Sequence, residues 1–130
     1  MSVTDFTLGE YGFPGPQRDR LNAAICSGAK TATASLLLDY GSDPLPFAGQ
    51  HEIVVDSDGR PVAVTRTTAV DVVPLASVTD DFAHAEGEGF ADATAWRAAH
   101  EAFWREACPD IPLDDATEVV LQRFVLVSVL

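Results

Sequence analysis

Apolar side chains in this chain follow two different spacings, and the change from one to the other divides the sequence into helices and strands. Between Arg18 and Ser27, Leu21, Ala24 and Ile25 fall at i, i+3 and i+4, which predicts a short amphipathic helix closed by Gly28. The stretch before it, Phe6 to Gln17, is punctuated by Gly12, Pro14, Gly15 and Pro16 and reads as irregular. Thr31 or Thr33 offers a cap for a second helix carrying Leu36, Leu37 and Leu38, which would put Lys30 at a helix-turn-helix corner beside free backbone N–H groups. Asp43-Pro44-Leu45-Pro46 ends that region, and Phe47 to Gln50 reads as a loop at the mouth of a pocket. His51 to Asp56 and Pro61 to Val73 are β-rich runs around Asp56-Ser57-Asp58-Gly59-Arg60, a hairpin signal, and the second run is long enough to bend or bulge. Thr79 or Asp80 can cap a helix that stops at Gly87 or Gly89, leaving Glu86 near its end. A further helix from about Asp92 to Ala107 gathers Trp96, Ala99, Phe103 and Ala107 on one face and sets Glu101 against Arg105 at i,i+4. Val119 to Leu130 is a last β-rich run. Helices, hairpin, helices and strand in that order predict an α+β fold with a mostly antiparallel, curved sheet, in one domain over residues 1–130.

Composition narrows the functional classes. A chain of 130 residues that is 47% hydrophobic can bury a core of its own. Its net charge of -12 and pI near 4.3 argue against passive coating of nucleic acid, so no DNA partner is expected and a small, locally neutralised ligand fits better. Cys26 and Cys108 stand far apart with no CxxC spacing, which excludes a zinc knuckle or redox motif and predicts reduced thiols. The amino terminus carries Asp5 and Glu10 and shows no basic segment followed by an apolar run. No apolar stretch approaches the roughly 20 residues that cross a bilayer. A cytoplasmic protein without a membrane partner is expected.

Lys30 is the only lysine, and every other basic residue is an arginine. Arginine keeps its proton in proteins, whereas a lysine amine can lose one and serve as base or nucleophile. Thr33, three positions on, can face the same cavity, and a neutral amine beside a threonine hydroxyl can take its proton. A carboxylate must then orient the pair. Glu86 and Glu88, in Phe82-Ala83-His84-Ala85-Glu86-Gly87-Glu88-Gly89, are the candidates because the glycines allow close approach of a ligand. Asp80, Asp81, Glu88 and Asp92 also read as a solvated acidic face. His100 lies one step from the apolar stripe and reads either as a hydrogen-bonded structural histidine or as part of the site. Trp96 and Trp104 read as packing, with base stacking the alternative. Tyr40 follows the Lys30 segment and is placed in the pocket. His51 and His84 have no ligand spacing to either cysteine, and neither metal nor cofactor is expected.

Taken together, Gly28-Ala29-Lys30-Thr31-Ala32-Thr33, then Leu45-Pro46 and Gly49, the Asp58-Gly59 hairpin, Phe82 to Gly89, and Trp96-Arg97-Ala98-Ala99-His100-Glu101-Ala102-Phe103 resemble the ASCH domain family over nearly the whole chain. That resemblance implies a PUA-like curved antiparallel β-barrel with flanking helices and a cleft that recognises RNA or nucleotides. Some members are amidohydrolases that remove acyl groups from the exocyclic nitrogen of cytidine with a lysine, a threonine and a glutamate; these fall on Lys30, Thr33 and Glu86. Others are ribonucleases, a role in which Tyr40 or His100 would move protons, and a third expectation is a non-catalytic RNA or nucleotide reader. The implied ligand is a nucleoside, nucleotide or short RNA, and a homodimer remains open. The family's arginine two residues past the threonine is Ser35 here, and Arg66 and Arg123 are the arginines that neighbouring strands offer instead.

Overall fold

The computed structural model describes residues 6–130. Asp5, cited above for the character of the amino terminus, lies outside the described residues. Five strands form one sheet in the order β1-β3-β4-β5-β2. They are β1 (Phe6–Gly9), β2 (Ala32–Leu36), β3 (His51–Val55), β4 (Pro61–Pro74) and β5 (Glu118–Val129), with helices α1 (Pro16–Ser27), α2 (Asp80–Ala85) and α3 (Ala93–Ala107) around them. All neighbours pair antiparallel except β1 and β3, which are parallel.

The expected hairpin is β3–β4, and β4 slips register between Val64 and Thr65 and again between Thr67 and Ala69, so its length is accommodated by bulges that bend the sheet. The sheet is not closed into the expected barrel: β1 and β2 occupy opposite edges, and no pairing joins them among the described residues.

Two further expectations are corrected. The segment expected to open a second helix is β2, followed by a single 3-10 turn at Leu37–Tyr40. Its alternation of small residues with Thr33 and Ser35 gives weak helical preference, and the exposed edge of β5 supplies a ladder that outweighs it. Lys30 therefore stands at a helix-to-strand corner. Phe6–Gly9, expected to be irregular, extends along β3 because that non-local edge satisfies its backbone.

Alternation along β5 divides the core. Val119 and Leu121 face α2 and α3 with Leu75, Phe82, Trp96 and Trp104, while Phe124 faces α1 with Leu21, Ile25, Val54 and Ala63. Buried Arg18 on α1 donates to the carbonyls of Tyr11 (3.2 Å) and Gly12 (3.0 Å), which fixes the loop after β1 against the helix. Gly28 ends α1 at φ 83°, its N–H donating to Ile25. Thr79 and Asp92 cap α2 and α3 by accepting from Phe82 and Ala95. On α3 the buried face runs through Trp96 and Trp104, not through Ala99 and Ala107, which are exposed; i,i+4 spacing carries that face, with His100 half-buried between the two indoles.

Candidate active site

A cavity of about 540 Å³ opens along the free edge of β2, between α1 and α3. Gln17, Arg20, Leu21 and Ala24 line it from α1, Lys30, Thr33 and Ala34 from the β2 edge, and Glu86 to Glu88 from the loop after α2. Ala99, His100, Phe103 and Trp104 close it from α3.

Lys30 is only 2% exposed. Its amine lies 3.2 Å from Glu88 Oε2 and 3.6 Å from Glu86 Oε1, and donates to the Glu86 carbonyl at 3.4 Å. Two of the three ammonium N–H directions thus have hydrogen-bond acceptors, and Glu86 Oε1 stands at ion-pair distance from the third. Glu86 is 1% exposed; its Oε2 accepts from the Trp96 indole N–H and lies 2.9 Å from His100 Nε2. His100 Nδ1 lies 2.9 Å from the Trp96 carbonyl, which only accepts, so that nitrogen carries a hydrogen. Two acids, one amine and one imidazole thus form a single hydrogen-bonded cluster.

Gly87 makes the cluster possible. Its φ is +67°, and a Cβ there would meet the Ala29 carbonyl oxygen and sit 2.6 Å from the Lys30 backbone nitrogen. The loop therefore packs backbone against backbone with Ala29–Lys30, which sets Glu86 and Glu88 on either side of the amine. Thr31 N–H donates to the Ala85 carbonyl at 2.8 Å and ties the same two segments.

Thr33 is half-buried on the cavity wall, and its hydroxyl makes no hydrogen bond among the described residues. The pairing of β2 also orients a backbone donor. Phe124 N–H donates to the Thr31 carbonyl (3.0 Å), and Thr33 pairs with Gln122, so Thr33 and Ser35 turn their backbone groups toward β5. Ala32 and Ala34 turn theirs to the free edge, and Ala34 lines the cavity.

Glu86, Glu88 and His100 offer three ligand atoms within 4.8 Å of one another, a spacing that a divalent ion could use. The Lys30 ammonium already stands among them, so the chain supplies its own cation there.

Of the residues singled out in the sequence, Lys30, Thr33, Glu86 and His100 meet at this cavity. Ser35 and Tyr40 lie further along the β2 segment, outside its lining; burial pushes the Tyr40 hydroxyl above its usual range and a hydrogen bond with Ser35 pulls it back. Arg66 is exposed on β4. Arg123 is on the face of β5 away from α1, paired with Asp81 at 2.9 Å and set over the Phe82 ring. Neither arginine lines the cavity. Glu88, read in part as a solvated acid, holds Lys30 with a side chain that is 29% exposed.

Sequence reasoning missed Arg20, and it missed the pair formed by Tyr11 and Glu52. Tyr11 lines the cavity and donates its hydroxyl hydrogen to Glu52 Oε1. Burial pushes the Glu52 carboxyl above the usual carboxylate range, with the Tyr11 hydrogen bond pulling the other way. Burial, and then the nearby Glu52, pushes the Tyr11 hydroxyl well above its usual range.

The mainly antiparallel sheet with flanking helices agrees with the α+β fold the resemblance implied, while the sheet stays open where a barrel was expected. Residues 10–128 match the ASCH domain family, and the chain belongs to it. Protein EF3133 from Enterococcus faecalis V583 superposes with a TM-score of 0.84 at 32% identity, over 95% of this chain and 77% of that one. An ASCH domain from Lactobacillus crispatus JV V101 gives 0.84 at 26% identity, over 93% of this chain and 79% of that one. ASCH from Zymomonas mobilis, at 11% identity and a TM-score of 0.53 over 95% of this chain and 66% of that one, shares the fold. No curated protein is matched. Among the described residues no helix is long and apolar enough to cross a membrane.

Proposed function

We propose that the cleft hydrolyses an acyl amide on the exocyclic nitrogen of a nucleobase, of the acylated-cytidine type, in a nucleoside or nucleotide. One observation carries the reading: a buried lysine held between two glutamates lines the same cavity as a threonine hydroxyl that makes no hydrogen bond among the described residues. Membership of the ASCH family supports the choice of target.

Lys30 first passes a proton to Glu88, whose side chain reaches solvent and can exchange it with water. The neutral amine takes the Thr33 hydroxyl proton as Thr33 Oγ1 attacks the acyl carbon. The Ala34 N–H, on the free edge of β2, receives the oxyanion, as the residue after a nucleophile does in other acyl-transfer sites. Collapse breaks the C–N bond, and Lys30 returns the proton to the departing base nitrogen. Water, deprotonated by the same amine, then attacks the threonyl ester, and as the acyl–oxygen bond breaks the amine returns that proton to Thr33 Oγ1 and the acid is released. Glu86, held by Trp96 and His100, keeps the amine aimed at the wall.

Incubation of the purified protein with N4-acetylcytidine, read by chromatography, tests this. Acetate and cytidine are expected, and Lys30→Met and Thr33→Ala should each slow turnover by about 10²- to 10⁴-fold. No acetate release, or a Thr33→Ala variant as fast as wild type, overturns the mechanism. Parallel incubation with unmodified RNA distinguishes a ribonuclease, which would consume it.

A further inference from the structure

Most of the basic residues are committed. Lys30 is held by Glu86 and Glu88, Arg18 by two backbone carbonyls, and Arg97, Arg105 and Arg123 by Glu101, Asp115 and Asp81. Among the described residues Arg20, Arg60 and Arg66 have no carboxylate partner. All three are exposed, and of the three only Arg20 also lines the cleft. In a chain with 20 acidic residues against 8 basic ones, a guanidinium on a cavity wall without an acid beside it is positioned for an anion brought from outside.

The rest of the cavity says where such an anion would lie. At its buried end the charges of Lys30, Glu86, Glu88 and His100 are satisfied by one another, so that end does not attract a phosphate. Gln17, Arg20, Leu21 and Ala24 form one stripe on α1 at i, i+3, i+4 and i+7. The Ala24 carbonyl accepts from the Lys30 backbone N–H at 3.0 Å, which pins the lysine to the far end of that stripe. Arg20 lies one turn, about 6 Å of helix, before Ala24. The cation and the buried amine therefore enter one cavity at separate levels, and Tyr11, Phe90, Phe103 and Trp104 supply aromatic surface within the same cavity. A cavity of about 540 Å³ is in the range that encloses a ligand of this size.

We propose that Arg20 is an anion subsite that takes the phosphomonoester of a nucleotide whose base is presented to Lys30. The inference rests on the reading of the cleft as a nucleobase site and makes the preferred ligand a nucleoside monophosphate instead of a bare nucleoside. A guanidinium grips phosphate oxygens in a two-pronged fork that a lysine cannot reproduce.

Calorimetric titration with cytidine, cytidine 5′-monophosphate and cytidine 3′-monophosphate tests it on wild type, Arg20→Gln and Arg20→Lys. Wild type is expected to bind one monophosphate roughly 10- to 100-fold more tightly than cytidine, the ratio that one charge-assisted contact supplies. Which isomer gains identifies the end of the ribose that faces α1. In Arg20→Gln that ratio should fall to within threefold of one, and Arg20→Lys should restore part of it. Equal affinities in wild type, or a preference that survives Arg20→Gln, overturns the subsite. A monophosphate preference that depends on Arg20, in a protein that releases no acetate from N4-acetylcytidine, sinks the hydrolase and leaves the subsite standing. If none of the three probes binds, both fall.

Discussion

Glu86 is buried in the wall of the cleft and Glu52 is half-buried behind Tyr11, and their surroundings have little in common. Glu86 has an indole N–H, an imidazole nitrogen and an ammonium around its carboxyl group. Glu52 has one neutral hydroxyl, from Tyr11, and burial pushes its carboxyl upward. The difference lies in the number and charge of donors that the fold gathers. Two segments, Lys30 and helix α3, converge on Glu86, the first because Gly87 lets two backbones touch, whereas Glu52 projects from a strand toward a loop that brings one partner. A buried acid at a working site is thus recognised by its company more than by its depth.

The contrast can be broken most severely at Lys30. Lys30→Met leaves Glu86 and Glu88 without their cation, and a loss of roughly 3–5 kcal/mol is expected in chemical denaturation. Thr33→Ala should stay within about 1 kcal/mol of wild type, because its hydroxyl makes no hydrogen bond among the described residues. If both variants melt alike, the cluster does not organise the fold. Gly87→Ala comes next: a methyl group against the Ala29 carbonyl at positive φ should cost about 3 kcal/mol and push Glu86 and Glu88 away from the amine. A Gly87→Ala protein with wild-type stability would contradict the close approach described here.

Glu52 yields a change of slope instead of a collapse. A carboxyl raised in the folded state means that folded chains retain protons that unfolded chains have released, so Glu52 withdraws stability as pH rises from the ordinary carboxylate range through its own raised value. Glu52→Gln keeps an acceptor for Tyr11 and removes that titration. Its unfolding free energy should gain on wild type as pH climbs from about 4 to 7, and parallel curves for the two proteins would refute the assignment. The smallest effect belongs to Asp115, 81% exposed in its pairing with Arg97; Asp115→Ala should change stability by under about 1 kcal/mol.

How far these features were legible follows from whether local spacing or distant pairing determines them. Helix α1, the β3–β4 hairpin, α3 and β5 each carry their own period and punctuation, and they lie within a few residues of where those predict. β2 does not, because Ala-Thr-Ala-Ser-Leu takes its extended form from the edge of β5. β1 is four residues long and pairs with a strand more than 40 positions away. At the site, Lys30, Thr33 and Glu86 were readable through their motifs, and His100 through its place beside Trp96. Glu88 was readable both as a candidate partner, from the glycines beside it, and as a solvated acid, and the Gly87 turn decides between the two by placing it at the amine. Tyr11 and Glu52 carry no joint signal in sequence, since only the parallel β1–β3 pairing brings the loop after β1 over Glu52. Arg20 had one, unrecognised: it shares the i, i+3, i+4, i+7 stripe of α1 with Gln17, Leu21 and Ala24.

A chain whose single side-chain amine is sealed inside its cleft carries a built-in reporter. An acylating reagent such as acetic anhydride finds one ε-amino target, so once the α-amino group is saturated and O- and S-acyl groups are removed with hydroxylamine, a second acyl increment in the intact mass marks that position. The rate of the second mass increment then measures how often the crevice breathes, and a compound seated in it registers as protection, with no fluorophore or engineered tag required.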